Sequence, residues 1–330
     1  MSRIDPLTPS APNGPQGYAK VSKAPDFAAA LLNAAELLEL PLDKRPPLLG
    51  KWMKQGDLGY LFAPRGAGKS WMAMLIGKSI AEGASLGDWE RGEEAQAVFY
   101  FDAEMNLADV QERARKLCIE SLNFKWLSNE RLFMQGGAGV NIASVEHQAR
   151  LSAMLTDGSV FIIDNLSTAQ LGMDENDNDS FDAIRDWLLS LRQRGITILI
   201  VHHAGRNGQM RGSSRREDMA HWIISLKDTS DDDRKAKSFT TSFIKVRNCP
   251  EREAPVLQWT LKDEGETISS VCQPFSGPEA LCALICEGHT KATLIAEEMG
   301  VRPSTVSKWA RKLADAGRIT IKGREYTPAS

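Results

Sequence analysis

The central part of the chain alternates short apolar runs with longer segments in which apolar residues recur at helical spacing. The runs that predict buried strands are residues 60–62, 98–101, 159–164 and 196–201. Residues 107–119 and 180–194 have the pattern of amphipathic helices, and residues 131–134 predict a short further strand. Strands alternating with helices predict a parallel sheet covered on both faces, with ligands bound at the carboxyl ends of the strands.

The pattern changes in the last third of the chain. Four strand-like segments are separated by turn residues, at 221–226, 238–247, 256–261 and 267–271. They predict that the sheet continues with antiparallel strands. Three short helices follow, at 279–287, 291–299 and 304–316, and then a hairpin that turns at Lys322-Gly323. This order predicts a small C-terminal winged helix-turn-helix domain.

The N-terminal region has a different character. Residues 1–25 are rich in Pro, Ser and Gly, so a disordered lead is predicted. Asp26 can cap a helix that runs to about Leu40, with an apolar stripe along one face. That helix can pack on its own domain, or its proline-rich tether can let it dock on a neighbouring subunit. The predicted domains are a lead (1–25), a helix and linker (26–47), an α/β domain (48–273) and a winged helix-turn-helix (274–330).

Composition narrows the function classes. The 330 residues carry a net charge of −3, so a nucleic-acid surface must be local. Five scattered cysteines without C-x-x-C spacing argue against a disulfide framework and a structural zinc site. No apolar run has membrane length and no signal pattern appears, so no membrane partner and a cytoplasmic location are predicted.

Residues 63–70, with the sequence APRGAGKS, lie between a predicted strand and a predicted helix. A glycine-rich turn at a helix N-terminus directs backbone N–H groups at a polyphosphate. Lys69 would reach the outer phosphates of ATP and Ser70 would ligate Mg²⁺. Ala63 replaces the usual first glycine and fits only with a negative φ. The predicted nucleotide-binding residues are Pro64, Arg65, Gly66, Ala67, Gly68, Lys69, Ser70 and Trp71.

Polar residues follow three of the predicted strands. Asp164 ends an apolar strand and can hold Mg²⁺ opposite Ser70, which is the Walker B role. Glu104 follows another strand, where a carboxylate could polarise the attacking water, and Asp102 is the rival for that task. The adjacent His202 and His203 must point to opposite faces of a regular strand, so one of them could sense the γ-phosphate.

The order of P-loop, FDAEM, FIIDN, VHHAGR, RGSS and FIKVRN resembles the RecA-like ATPase core of the hexameric helicases, over about residues 48–259. Within the DnaB and RecA superfamily it is most similar to the plasmid RepA helicase group. The resemblance implies Glu104 as catalytic base, Asp164 as Walker B residue and His203 as sensor. It also implies that Lys245 and Arg247 reach across a subunit interface. Two predicted features differ from a replicative helicase of the DnaB kind. The sequence predicts no large N-terminal helical domain, and it predicts a C-terminal winged helix that the minimal RepA pattern does not require.

Two candidate DNA surfaces follow. In RecA-like rings the loop after the sensor strand contacts single-stranded DNA in the central channel, which here implies Arg206, Arg211, Arg215 and Arg216. From residue 302 onward, seven Lys and Arg against two acidic residues give a local charge of +5, typical of duplex binding. The exposed readers there would be Ser304, Thr305, Lys308 and Arg311. The alternative is a winged helix that contacts a protein.

These observations predict an ATP- and Mg²⁺-dependent, ring-forming DNA motor, a homohexamer with single-stranded DNA in the ring and duplex DNA at the winged helix. A plasmid or phage replicative helicase fits them best. One alternative is a RecA-fold ATPase that regulates replication or loads a partner without unwinding. Another is an ATP-gated transcription regulator whose output is the winged helix.

Overall fold

The computed structural model describes residues 26–42, 44–170, 178–205, 214–230, 236–299, 301–323 and 325–329, with residues 178–180, 214 and 215 described by their backbone alone. The predicted disordered lead lies outside these residues. So do Asp174, Glu175 and Asp177, three acidic residues whose loop we expect from the sequence to cap the following helix. Within the described residues, no helix combines the length and the apolar character needed to span a membrane.

The strands are numbered in chain order. They are β1 (Pro47–Leu49), β2 (Met53–Lys54), β3 (Leu58–Ala63), β4 (Val98–Asp102), β5 (Phe124–Ser128), β6 (Val160–Asp164), β7 (Thr197–His203), β8 (Trp222–Asp228), β9 (Ala236–Val246), β10 (Leu257–Asp263), β11 (Ile268–Pro274), β12 (Ile319–Lys322) and β13 (Glu325–Pro328).

The helices are numbered in the same way. They are α1 (Phe27–Ala30), α2 (Ala34–Glu39), α3 (Lys69–Glu82), α4 (Leu107–Lys116), α5 (Asn129–Met134), α6 (Val145–Met154), α7 (Leu166–Ala169), α8 (Asn178–Gln193), α9 (Ser214–Met219), α10 (Gly277–Cys286), α11 (Ala292–Met299) and α12 (Pro303–Asp315).

Nine of the described strands form one sheet in the order β11-β10-β9-β8-β3-β7-β6-β4-β5. The six strands from β8 to β5 in this order pair in parallel. Strands β9, β10 and β11 extend the sheet with antiparallel pairing, as the sequence predicted. The segment at 221–226, which was predicted to be the first of these antiparallel strands, is β8 and pairs in parallel with β3, so that part of the prediction was wrong. The α/β class with a mainly parallel sheet is therefore confirmed, and the strands predicted at 60–62, 98–101, 159–164 and 196–201 correspond to β3, β4, β6 and β7.

The central strands are apolar at successive positions, and successive side chains point to opposite faces of the sheet. Both faces are therefore buried against other elements. Side chains that point to one face, such as Tyr100, pack in a core with Ile76 of α3. Their neighbours in sequence, such as Phe101, pack in a second core with Leu188 of α8. The sheet is thus held between two helical layers, and its carboxyl edge is left for loops that carry function.

The C-terminal unit has its own small core. Helices α10, α11 and α12 pack together and against the antiparallel hairpin of β12 and β13. Leu281, Ile295 and Leu313 are buried at its centre. The three helices and the wing-like hairpin have the order expected of a winged helix-turn-helix. The hairpin pairs Lys322 with Glu325, which places its turn where the sequence predicted it.

Two predictions of secondary structure were wrong. The N-terminal helix expected from Asp26 to Leu40 is broken into α1 and α2, because Asn33 and Glu36 form a reciprocal capping box that starts a new helix. The strand expected at 131–134 is helix α5, whose N-cap Ser128 accepts a hydrogen bond from the backbone N–H of Arg131. The strand of this region, β5, lies just before it.

Candidate active site

The loop between β3 and α3 has the backbone of a phosphate-binding loop. Gly66 and Gly68 have φ angles of 78° and 102°, which residues other than glycine rarely adopt. A Cβ on Gly68 would also lie 3.0 Å from the ring of Phe239, whereas one on Gly66 would meet nothing within 4 Å. Ala63 keeps a negative φ, as predicted, so alanine is tolerated where the pattern usually has glycine.

Lys69 lies folded over this loop. Its ammonium donates to the carbonyl of Ala63 at 3.1 Å and to that of Pro64 at 2.9 Å. Burial lowers the pKa of Lys69, while the nearby charges of Asp164 and Glu104 raise it. The ammonium is therefore held beside the concavity, where phosphate oxygens can replace the two carbonyls as acceptors.

The candidate metal site is the end of β6 facing the start of α3. Asp164 is 6% exposed, and its Oδ2 accepts a 2.6 Å hydrogen bond from the hydroxyl of Tyr100. Burial raises the pKa of Asp164, whereas hydrogen bonds from Tyr100 and Ser70 and the charge of Lys69 lower it. One carboxylate and one hydroxyl suit Mg²⁺, which takes its other ligands from phosphates and water. When bound, Mg²⁺ would neutralise charge on the β- and γ-phosphates.

Two carboxylates near β4 have different environments. Asp102 is buried, and its Oδ1 accepts the N–H groups of Glu104 at 3.0 Å and Met105 at 2.7 Å, so it shapes the turn. Burial raises the pKa of Asp102 to about 6. Glu104 is exposed and accepts a hydrogen bond from the side-chain amide of Asn165. An exposed, oriented carboxylate can reach a water molecule, which favours Glu104 over Asp102 as the base.

The two histidines at the end of β7 occupy opposite faces of the sheet. His202 is fully buried, and its Nε2 lies 3.2 Å from Nη1 of Arg216. His203 pairs in register with Ala63, the first residue of the loop. The alternation of side chains along β7 places His203 on the same side as Val201, which packs in the α3 core. His203 is therefore the histidine that lies on the side of the P-loop.

Lys245 and Arg247 lie far from this loop. Lys245 donates to the carbonyl of Glu217, and Arg247 donates to that of Asp218 at 3.0 Å. Strand β9 begins beside Gly68, which Phe239 contacts, and it runs antiparallel to β8 toward the opposite edge of the sheet. Eight residues of extended chain separate Phe239 from Arg247, about 26 Å. The two basic residues thus lie at the amino edge, and the P-loop lies at the carboxyl edge.

Comparison with known proteins gives the family. The family model AAA_25, described as an AAA domain, matches residues 22–209, more than half of the chain. The chain belongs to this AAA domain family. The family and the loop geometry together identify a RecA-like P-loop ATPase core that binds nucleotide. No curated protein matches the chain.

Two solved structures have a similar fold. The KaiC-like protein PH0186 from Pyrococcus horikoshii OT3 has a TM-score of 0.45 and 14% identity, with 67% of this chain and 91% of that chain covered. The flagellar accessory protein FlaH from Methanocaldococcus jannaschii has a TM-score of 0.46 and 10% identity, with 66% and 89% covered.

The four loop arginines expected to contact DNA have different positions. Arg206 and Arg211 lie outside the described residues, and of Arg215 only the backbone is described. Arg216 is completely buried, with its guanidinium 5.7 Å from the ring centroid of Phe181 and beside His202. The expectation that Arg216 faces DNA is therefore corrected, because its charge is enclosed between β7 and α8.

The predicted duplex-binding residues lie on α12. Ser304, Lys308 and Arg311 are exposed, and Thr305 is half-buried. The exposed residues line a shallow cleft together with Ser307, Lys312 and Asp315. Val306, Ala310 and Leu313 occupy the opposite side of the helix and pack in the small core. The helix therefore presents one basic face to solvent.

Three residues of the site were not predicted from the sequence. Tyr100 is one position among apolar residues in a buried strand, and Asn165 ends the FIIDN motif but was given no role of its own. Phe239 lies in a strand remote in sequence, and only the pairing of strands in the sheet brings its ring beside Gly68 of the P-loop. The sequence offered one signal for these residues, the tyrosine at position 100 inside a strand predicted to be buried. A buried tyrosine hydroxyl needs a hydrogen-bond partner, and an acidic residue at a neighbouring strand end can provide it.

Proposed function

We propose that this chain is an ATP- and Mg²⁺-dependent, ring-forming DNA motor, a cytoplasmic replicative helicase of the plasmid RepA kind that works as a homohexamer. The family supports nucleotide binding. The order of motifs along the chain and the basic face of α12 support DNA as the partner. The ring is supported by one relationship within the sheet.

That relationship is the separation of Arg247 from Lys69. The two residues lie at opposite edges of the same sheet, so the arginine cannot reach the phosphates held by its own P-loop. Both Arg247 and Lys245 are held by backbone carbonyls that follow one another in sequence, at the end of α9. Cations held at an edge by carbonyls alone can still bind a negatively charged group of a second copy.

The positions of the side chains support the following chemical roles. Lys69 binds the outer phosphates, and Ser70 and Asp164 hold the metal. Glu104, oriented by Asn165, orients and deprotonates the attacking water. His203 reports the state of the γ-phosphate from the strand beside the loop. A cation from the neighbouring copy stabilises the charge of the transition state, a contribution of about 10³- to 10⁵-fold in rate.

The experiment combines two inactive variants. Arg247→Ala should bind ATP normally and hydrolyse it at least about a hundredfold more slowly. Lys69→Ala should lose hydrolysis and bind nucleotide weakly. When the two are mixed, some interfaces pair an intact P-loop with an intact Arg247, so turnover should partly return.

The matched control is Arg252→Ala, which changes an exposed arginine in the 3₁₀ turn Glu251–Glu253 that follows β9. It should hydrolyse ATP at the wild-type rate. If mixed rings form, as judged by mass, and no mixing ratio restores turnover, then the arginine does not act between subunits and the ring mechanism fails.

A second candidate function is favoured by the face of α12 alone. A cleft lined by Lys308, Arg311 and Lys312 fits duplex DNA without any motor activity. The chain would then be a regulator or loader that does not unwind, or a transcription regulator gated by ATP. A strand-displacement assay separates the motor from both, and footprinting of a specific duplex sequence would favour the transcription regulator.

A further inference from the structure

Lys237 lies at the end of β9 that meets the P-loop. Its Cε is 3.9 Å from the point where a Cβ on Gly68 would be, and the Phe239 ring is 3.0 Å from the same point. Phe239 is completely buried in the α3 core, so it fixes the start of β9 against the loop. The first residues of β9 are therefore part of the wall beside the nucleotide site.

The ammonium of Lys237 makes an ion pair with Asp228 at the end of β8. The two side chains are 31% and 44% exposed, and exposed ion pairs contribute little to stability. Asp228 is also supported without the lysine, because it accepts the backbone N–H of Ser230 at 3.0 Å. The fold therefore does not depend on this pair, and its lysine can exchange partners.

A phosphate chain is a stronger partner for this lysine than a single carboxylate. It carries more negative charge and presents several acceptor oxygens, and charge-assisted hydrogen bonds to it are strong. The stem of Lys237 already passes beside Gly68, the residue before Lys69. A rotation of its flexible side chain is enough to turn the ammonium from Asp228 toward the loop, because lysine has four rotatable bonds.

We propose that Lys237 is a second nucleotide-binding lysine, which leaves Asp228 and contacts the phosphates of the nucleotide held by the same chain's P-loop. This inference rests on the nucleotide site of the proposed function. It differs from the role of Arg247, since Lys237 acts within one chain. Asp228 competes with the nucleotide for Lys237, so it lowers the affinity of the wild-type protein for nucleotide.

The two partners should therefore have opposite effects on nucleotide affinity. Lys237→Met keeps the stem beside Gly68 and removes the charge, so the dissociation constant for ADP and ATP should rise about tenfold. Asp228→Asn releases the lysine, so the constant should fall by about two- to fivefold. Lys237→Arg should retain most of the affinity. Isothermal titration calorimetry on the full chain measures all three.

The matched control is Lys262→Met. Lys262 is exposed and pairs in register with Ala236, at the same edge of the sheet, but it belongs to β10. The Lys262→Met variant should bind nucleotide with the affinity of the wild type. Thermal unfolding of each variant, without nucleotide, checks that the fold is intact.

The outcomes separate this inference from the proposed function. If Lys237→Met and Asp228→Asn both weaken binding, the pair is a structural link between β8 and β9 and the inference is overturned. It is also overturned if Lys237→Met binds as the wild type does. If the wild-type chain binds neither ADP nor ATP while folded, the proposed function itself fails, and this inference fails with it.

Discussion

The hydroxyl of Tyr100 donates a 2.6 Å hydrogen bond to Oδ2 of Asp164, across the neighbouring strands β4 and β6. Both residues are buried. A buried carboxylate that must stay charged needs donors, and this hydroxyl favours the charged form by lowering the pKa that burial raises. The tyrosine therefore orients the candidate metal ligand and favours its ionised form, from a position inside the sheet.

Tyr100→Phe should weaken the use of Mg²⁺. Loss of a hydrogen bond to a metal ligand typically costs about 10- to 100-fold in metal affinity or activity, so we expect about a tenfold higher Mg²⁺ requirement for ATP hydrolysis. The measurement is a titration of ATPase rate with Mg²⁺ at fixed ATP. Tyr60→Phe is the matched control, because the buried Tyr60 hydroxyl has no hydrogen-bond partner among the described residues. Equal Mg²⁺ curves for the two variants would contradict the role of Tyr100.

Substitutions of the two carboxylates at the end of β4, Asp102 and Glu104, should have different effects on ATP hydrolysis. Glu104→Gln should bind ATP and fail to hydrolyse it, because the amide cannot take a proton from water. Asp102→Asn should retain hydrolysis, since Oδ1 can still accept the two backbone N–H groups that shape the turn. Steady-state ATPase assays decide this, and a stalled Asp102→Asn with an active Glu104→Gln would reverse the assignment.

Asp102 also predicts a pH dependence of stability. Its pKa is about 6 in the folded protein, against an ordinary value of 3.8 for an aspartate in water, so the folded state binds more protons between these values. Stability contributed by this group is therefore lost as pH rises from about 4 to 6. The unfolding free energy of the wild type, minus that of Asp102→Asn, should fall by up to about 3 kcal/mol over this range. Urea unfolding at several pH values measures it, and parallel profiles would refute it.

The sequence predicted best the parts of the fold in which apolar residues form short continuous runs. The four apolar runs became β3, β4, β6 and β7, because a continuous apolar run of this length fits a strand that is buried on both faces. Asp164 and Glu104 were predicted to lie together because parallel strands end at one edge, so polar residues at the strand ends meet in space.

The predictions that were wrong concern segments whose structure is decided by contacts between residues distant in sequence, or by competition between two local conformations. Arg216 has the sequence context of a solvated loop residue, but it lies in a helical turn that packs its guanidinium beside His202 and Phe181. The helix after Asp26 breaks because the capping box at Asn33 competes with continued helix. Residues 131–134 are too few for period alone to decide between strand and helix.

The basic face of α12 predicts how duplex binding responds to salt. Each phosphate contact releases counterions, so log affinity falls with log salt with a slope of about −0.9 per contact on B-DNA. Lys308→Ala combined with Arg311→Ala should weaken duplex binding and reduce the slope by about two. Fluorescence anisotropy at several salt concentrations measures this.

The matched control for the α12 variant is Lys262→Ala, an exposed lysine in β10. It should leave both the affinity and the slope unchanged. If the double substitution in α12 has no effect on the slope, then the winged helix contacts a protein instead of DNA. Because Lys308 and Arg311 are exposed and outside the small core, the substitutions should not lower its stability.

The N-terminal segment from Asp26 to Leu42 gives the last prediction. Every residue in it is exposed, including large apolar residues such as Phe27 and Leu38, which are 80% and 85% exposed. The prediction that it packs on its own domain is thus not met in this structure. Exposed apolar side chains at helical spacing favour the other interpretation, docking on a neighbouring subunit.

Deletion of residues 1–42 should therefore leave the unfolding temperature of the single chain unchanged, because no described contact of the core is lost. The same deletion should reduce assembly with ATP, as measured by sedimentation velocity. Leu37→Ser combined with Leu38→Ser should reproduce the loss, since it removes apolar area while keeping the segment. The control is Ala29→Ser combined with Ala35→Ser, which also introduces two hydroxyls at exposed positions but removes little apolar surface area. Undiminished assembly of the deleted chain would mean that subunits associate through the ATPase domain alone, and the segment would then need another partner.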